Sequence, residues 1–232
     1  MKGGEKGIMV QAMCVMAKIF REPVNAISHM AGSIASLVGM TLMVIYAALR
    51  ADAWHVVSFA VFGTSLILMY TASFLYHGLW LSEKNRLLFR RIDHIMIFMV
   101  IAGSYTPLCL VPLRGPWGWS LLGTVWGMAV VGIFFKMFFM DVPRWVSTLI
   151  YGGMGWMCIV ALYPLVKRLD CPGLFWLGLG GVFYSIGAVI YAVKRPDPFP
   201  GIFGFHEIWH LFVLLGSGAH FWLAFRHLMY LG

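Results

Sequence analysis

Seven long apolar runs, separated by short polar or proline-containing breaks, set the pattern of this chain. They fall at Val24–Leu49, Ala53–Trp80, Leu88–Val111, Trp117–Phe139, Trp145–Val166, Gly173–Val193 and Ile202–Met229. Each supplies the roughly 20 apolar residues that an α-helix needs to cross a bilayer. The breaks carry turn chemistry or charge: Arg50-Ala51-Asp52, Ser82-Glu83-Lys84-Asn85, Pro112 to Pro116, Asp141 to Pro143, Asp170 to Pro172, and Arg195 to Pro200. The runs are too long for strands and do not alternate, which excludes an outer-membrane barrel. The pattern predicts an all-α membrane protein, a bundle of seven transmembrane helices. No internal repeat is evident, which argues against a transporter built from inverted halves. Pro107 falls inside the third run and predicts a kink there. Ser28, Gly32 and Ser36 form a small-residue stripe on the first. Gly152, Gly153, Gly155 and Gly178, Gly180, Gly181 predict close helix approach on the fifth and sixth.

Composition sharpens this picture. The chain is 61% hydrophobic and only 11% charged, with mean hydropathy +0.83, whereas a soluble domain carries about 25% charged residues. One membrane domain, residues 23–232, follows a segment 1–22. In that segment Met9, Met13, Met16 and Phe20 share a helical stripe, which predicts a short interfacial helix. The formal charge of +8 does not imply nucleic acid. Its cations lie mostly between spans, where they orient the chain and meet membrane lipids, the expected partners. Twelve Lys and Arg fall on the side of the amino terminus and five on the other. That asymmetry predicts a cytoplasmic amino terminus and an external carboxyl terminus. Cys14, Cys109, Cys158 and Cys171 form no C-x-x-C pair and are expected to be small buried side chains.

Ionisable residues inside spans are costly and mark functional sites. His206 and His210 lie four residues apart, so their rings share one helix face. Alternating span direction brings His77, Asp93, His206 and His210 to one leaflet, within about 12 Å of its boundary at 1.5 Å per residue. Three neutral imidazoles suit zinc, with a fourth position left for water and a nucleophile available near neutral pH. The metal ligands are then His77, His206 and His210. Asp93 is placed to take the proton, and Ser73, one turn deeper than His77, to stabilise developing charge. These two are the expected catalytic residues. His29 lies near the same leaflet, and His220 is about 21 Å along the helix from His206, too far to share its ion. His94 is read as structural, and His55 and His227 as interfacial. Glu207 completes an H-E-x-x-H run, in which zinc proteases use the Glu as base. On a helical wheel it falls outside the arc of the two rings, so it is expected to point off the metal.

Glu22-Pro23-Val24-Asn25, Ser28-His29, Ser73-x-x-x-His77, Arg91-Ile92-Asp93-His94, Ala102 through Pro107, His206-x-x-x-His210, Gly216-Ser217 and His220 together resemble bacterial hemolysin III proteins, relatives of the progestin and adipoQ receptors. The resemblance covers Glu22 to about His220. It implies seven helices, a cytoplasmic amino terminus, a place in the bacterial inner membrane, and zinc on His77, His206 and His210 with Asp93 and Ser73 beside it. It further implies kinship with membrane hydrolases that cut lipid amides, and hence a zinc-dependent lipid hydrolase with a role in membrane lipid homeostasis. Two other readings follow from it: a receptor-like regulatory protein with a structural zinc, and a pore-forming cytolysin.

Overall fold

The computed structural model describes residues 15–231. Seven helices are long and apolar enough to cross a membrane: α1 Pro23–Arg50, α2 Ala53–Gly78, α3 Glu83–Leu110, α4 Pro116–Phe138, α5 Arg144–Arg168, α6 Cys171–Val193 and α7 Phe205–Leu228. No β-strand occurs among the described residues. The interfacial helix expected in 1–22 lies mostly outside the described residues; 15–19 are helical.

Local chemistry sets the helix ends. Proline opens α1 and α4, where its missing N–H costs nothing. The Asp52 carboxylate caps α2 by accepting from the Trp54 and His55 N–H groups at 3.0 and 3.1 Å. A hydrogen bond from His55 is the main force that holds the Asp52 carboxyl down at about 2. α3 begins five residues before the apolar run, because Glu83 and Arg86 pair at 2.7 Å across its first, polar turn.

The helices α2 and α3 form the middle of the bundle, and Phe59, Phe62, Tyr70 and Phe98 are almost wholly buried there. α3 continues through Pro107 to Leu110. α5 is interrupted by a 3-10 stretch at Trp156–Ala161. Tyr105 of α3 repairs the break: its hydroxyl donates to the Gly155 carbonyl and accepts from the Cys158 N–H at 2.9 Å. Backbone groups without water must find such partners.

The glycine stripes divide. At Gly32 an added Cβ would meet Leu214 and Tyr70 at 2.8 and 2.9 Å, so helices do approach closely there. The expectation for α5 fails. Nothing lies within 4 Å of a Cβ at Gly152, Gly153 or Gly155, nor at Gly178 and Gly181 of α6. Of the three glycines expected to pack on α6 only Gly180 is tight, against His220; Gly187, not singled out in the sequence, is tight against Phe212 and Trp209. Gly152, Gly155, Gly178 and Gly181 instead line an internal cavity, where absent side chains make room.

One smaller expectation also changes. Cys109 is buried, but Cys171 is exposed at the start of α6; Cys14 lies outside the described residues. His55, in the first turn of α2, is buried: its ring spans from Asp52 to the Leu228 carbonyl at 3.2 Å and ties α2 to the end of α7.

An odd number of crossings puts the start of α1 and the end of α7 at opposite faces. A reporter active only outside the cytoplasm is expected to work at the carboxyl end and stay silent at the amino end. Activity at both ends would overturn the span count.

Candidate metal centre

The end of α2 and the start of α7 meet at one face of the bundle, and their histidines converge. One ring nitrogen each from His77, His206 and His210 lies within 4.8 Å of the others. Nε2 of His206 is 3.2 Å from Nε2 of His210 and 3.4 Å from Nε2 of His77. Zinc–nitrogen bonds of 2.0–2.1 Å at a tetrahedral angle separate two ligand atoms by about 3.3 Å. The two separations from His206 match that spacing, and all three donors lie close enough to converge on one ion.

The tautomer of His77 supports the same fit. Its Nδ1 is hydrogen-bonded to the Glu22 carboxylate. An ionised carboxylate can only accept, so in the neutral ring Nδ1 carries the proton and Nε2 offers a lone pair to the cluster. The donor set is three nitrogens crowded on one point, with His77 and His210 almost fully buried. A cation resolves that crowding. Zinc suits three imidazoles better than magnesium or calcium, which prefer oxygen.

The network behind His77 was not foreseen from sequence. The backbone of Arg21 and Glu22 docks on the end of α2, with N–H groups donating to the Gly78 and His77 carbonyls at 3.2 and 3.0 Å. Burial pushes the Glu22 carboxyl up, but the His77 hydrogen bond and charge, then the charge of Arg21 and the Asn25 amide, bring it down to about 2. Asn25 Nδ2 donates to both Glu22, at 3.2 Å, and Glu207, at 2.8 Å. One amide thus joins the first helix to the seventh behind the histidine cluster. The signal available in sequence was a glutamate placed directly before Pro23, at the mouth of a span.

A carboxylate behind a ligating histidine fixes its ring and raises its basicity, and losing such a partner typically costs 10–100-fold in metal affinity. Glu22→Gln is expected to weaken zinc binding by about that factor, measured by competition with a chelator of known affinity. Unchanged affinity would remove Glu22 from the site.

Glu207 is occupied elsewhere. It accepts from Asn25 and, through its other oxygen, from the Gly204 N–H at 2.8 Å, which caps α7. It is not among the side chains that converge with the three histidines. His29 stacks on His210 with ring centroids 3.8 Å apart, and neither of its nitrogens finds a hydrogen-bond partner among the described residues. His220 packs against Gly180 and faces the Leu177 carbonyl at 3.4 Å, remote from the cluster.

Asp93 and Ser73 are not part of the ligand group. Both line the internal cavity, which has a volume of about 570 Å³ and also touches His206 and His210. Asp93 forms no ion pair or hydrogen bond among the described residues, not even with Arg90 one helical turn away. The Ser73 hydroxyl likewise has no hydrogen-bond partner among them. Free acceptor and free hydroxyl thus face the space beside the histidines.

Seven apolar crossings and a histidine cluster at one face define a multi-pass bacterial membrane protein with a candidate metal centre. The family described as Haemolysin-III related matches residues 17–221, and the chain belongs to it. It is similar to the hemolysin-3 homolog of Bacillus subtilis (strain 168), with 42% identity over 206 residues, covering 89% of this chain and 93% of the relative. Similarity to hemolysin-3 of Bacillus cereus is 40% identity over 222 residues, 95% of this chain and 98% of that one. The human monocyte to macrophage differentiation factor is 24% identical over 213 residues, 90% of this chain and 85% of its own.

Proposed function

We infer that this chain is a zinc-dependent membrane hydrolase acting on a lipid amide or ester, with a role in membrane lipid homeostasis. The observation that carries this reading is the cavity. A volume of about 570 Å³ adjoins the histidine cluster, within the roughly 300–1,000 Å³ of small-molecule sites. A metal serving only as a staple between α2 and α7 needs no such space.

His77, His206 and His210 would hold the ion. When bound, zinc supplies a Lewis acid and, from water at neutral pH, a nucleophile. Asp93 lies on the cavity wall with free oxygens and takes the proton released as water attacks the carbonyl. It returns that proton to the departing amine or alcohol. Ser73 donates its hydroxyl hydrogen to the carbonyl oxygen as charge develops there.

The lining argues against the pore reading. Beyond the polar end the wall is built from side chains such as Leu108, Leu165, Leu174, Leu223 and Leu228. Its acidic and basic side chains, Arg90, Asp93, Lys136 and Arg144, all come from one end, and no such charge continues past them to guide an ion across.

The purified protein is expected to hydrolyse a member of a panel of lipid amides and esters, read by mass spectrometry. Chelation should abolish turnover and zinc should restore it, while magnesium should not. Turnover that is indifferent to chelation would overturn the zinc reading. A zinc-loaded chain that cuts nothing in the panel, with a metal that only stabilises folding, would favour the structural role.

A further inference from the structure

Lys136 is the most anomalous cation of the described chain. Lysines between spans are normally exposed, as Lys84 is. Lys136 sits inside α4, only 3% exposed. Its ammonium donates to the Ser147 hydroxyl at 2.6 Å and forms no ion pair among the described residues. A buried charge normally has a countercharge, since the hydroxyl of a serine does not repay desolvation. Lys136 and Ser147 both line the internal cavity.

Two further cations line the same end. Arg90 comes from the first turns of α3 and Arg144 from the start of α5. The Arg144 guanidinium lies 5.1 Å from the Tyr191 ring and 5.5 Å from the Phe205 ring. The Tyr191 ring in turn lies 5.7 Å from that of His206. One aromatic side chain therefore separates the cationic wall from the metal cluster. Against three cations, Asp93 is the only carboxylate on the cavity wall. The far wall is mostly apolar, with Leu165, Leu174, Leu223 and Leu228 beside His220.

We propose that Arg90, Lys136 and Arg144 bind the anionic headgroup of an amphiphile whose hydrocarbon chain runs down the cavity. The ligand is a lipid with a phosphate or carboxylate only a few atoms from its amide or ester carbonyl. This deepens the hydrolase reading and rests on it for treating the ligand as substrate. The anion supplies the countercharge that Lys136 lacks, and its oxygens accept from Lys136 and from the arginine forks. The aromatic bridge then sets the carbonyl next to His206.

Thermal unfolding of the whole protein in a neutral maltoside detergent tests this without any turnover. Dodecyl phosphate is the probe. The uncharged dodecanoylglycerol has a similar chain, and inorganic phosphate supplies the anion alone. Dodecyl phosphate is expected to raise the Tm saturably, at concentrations at least about tenfold below those that dodecanoylglycerol needs, the worth of one charge-assisted hydrogen bond. Inorganic phosphate is expected to do little. Lys136→Gln should keep its zinc and weaken dodecyl phosphate by about tenfold or more, and Lys136→Arg should recover most of that loss. If Lys136→Gln does not fold, Arg144→Gln at the more exposed edge carries the same expectation. Equal response to the charged and neutral amphiphiles would overturn the proposal. So would a full response to inorganic phosphate alone, which would mean a site for a free anion. A chain that binds dodecyl phosphate as expected yet hydrolyses nothing would sink the hydrolase reading and leave headgroup binding standing.

Discussion

Purified His210→Ala protein is expected to hold almost no zinc, against about one ion per parent chain, the normal content of a three-histidine site. Only His77, His206 and His210 bring ligating atoms together among the described residues, and removal leaves two. Two imidazoles without a third rarely retain zinc against a competing chelator. His29, stacked on His210, is the one nearby imidazole that could swing into the gap. The double variant His29→Phe/His210→Ala closes that route and keeps an aromatic ring in place. The fold should survive the change. Tyr70 of α2 donates to Ser217 of α7 at 2.7 Å, and Tyr184 of α6 meets the same hydroxyl at 2.8 Å. These bonds hold α2, α6 and α7 together independently of the metal. A lowered Tm with retained helicity is therefore the expected companion of zinc loss, because ligand binding to the native state adds to stability. Undiminished zinc in the double variant would overturn the assignment of the site.

The spans were legible because a bilayer allows few solutions. Backbone groups must pair internally, so a run of about 20 apolar residues is a helix whatever its neighbours do. The histidine set was legible for a related reason. Depth follows from span direction, and His206 and His210 share a face by helical period alone. Glu22 was not legible as the partner of His77, because that contact depends on how the chain before α1 docks on the end of α2. No periodicity carries that information. The glycines of α5, and Gly178 and Gly181 of α6, were misread for a different reason. A missing Cβ permits either close packing or empty space, and sequence does not separate the two. Gly32 took the first course and Gly155 the second. Lys136 was counted with the cations that orient the chain. Its charge does sit at the expected end, but its burial against Ser147 depends on α4 meeting α5. Asp93 and Ser73 came to the right region, yet as cavity wall and not as part of the histidine cluster.

The place of Asp93 on that wall yields the sharpest test of catalysis. Asp93→Asn is expected to keep the fold and nearly all the zinc, because Asp93 is outside the ligand group and makes no ion pair that the change would break. Asn has the same shape but cannot accept a proton at neutral pH. Lipid hydrolysis should therefore fall by about 10²–10⁴-fold, the usual worth of a positioned acid or base. Ser73→Ala should cost less than this, since it removes one of several stabilising contacts to the carbonyl oxygen. Glu207→Gln provides the contrast. Its carboxylate already accepts from Asn25 and from the Gly204 N–H, and the Gln oxygen can keep one of these bonds. Turnover in that variant should stay within a few-fold of the parent. Zinc content measured on the same preparations separates a lost base from a lost metal. If Glu207→Gln is the dead variant and Asp93→Asn the active one, the base belongs to the H-E-x-x-H run and the assignment to Asp93 is wrong. If neither the parent nor either variant hydrolyses any lipid while His77→Ala unfolds the chain, the ion is a staple between α2 and α7, and the cavity beside it serves binding alone.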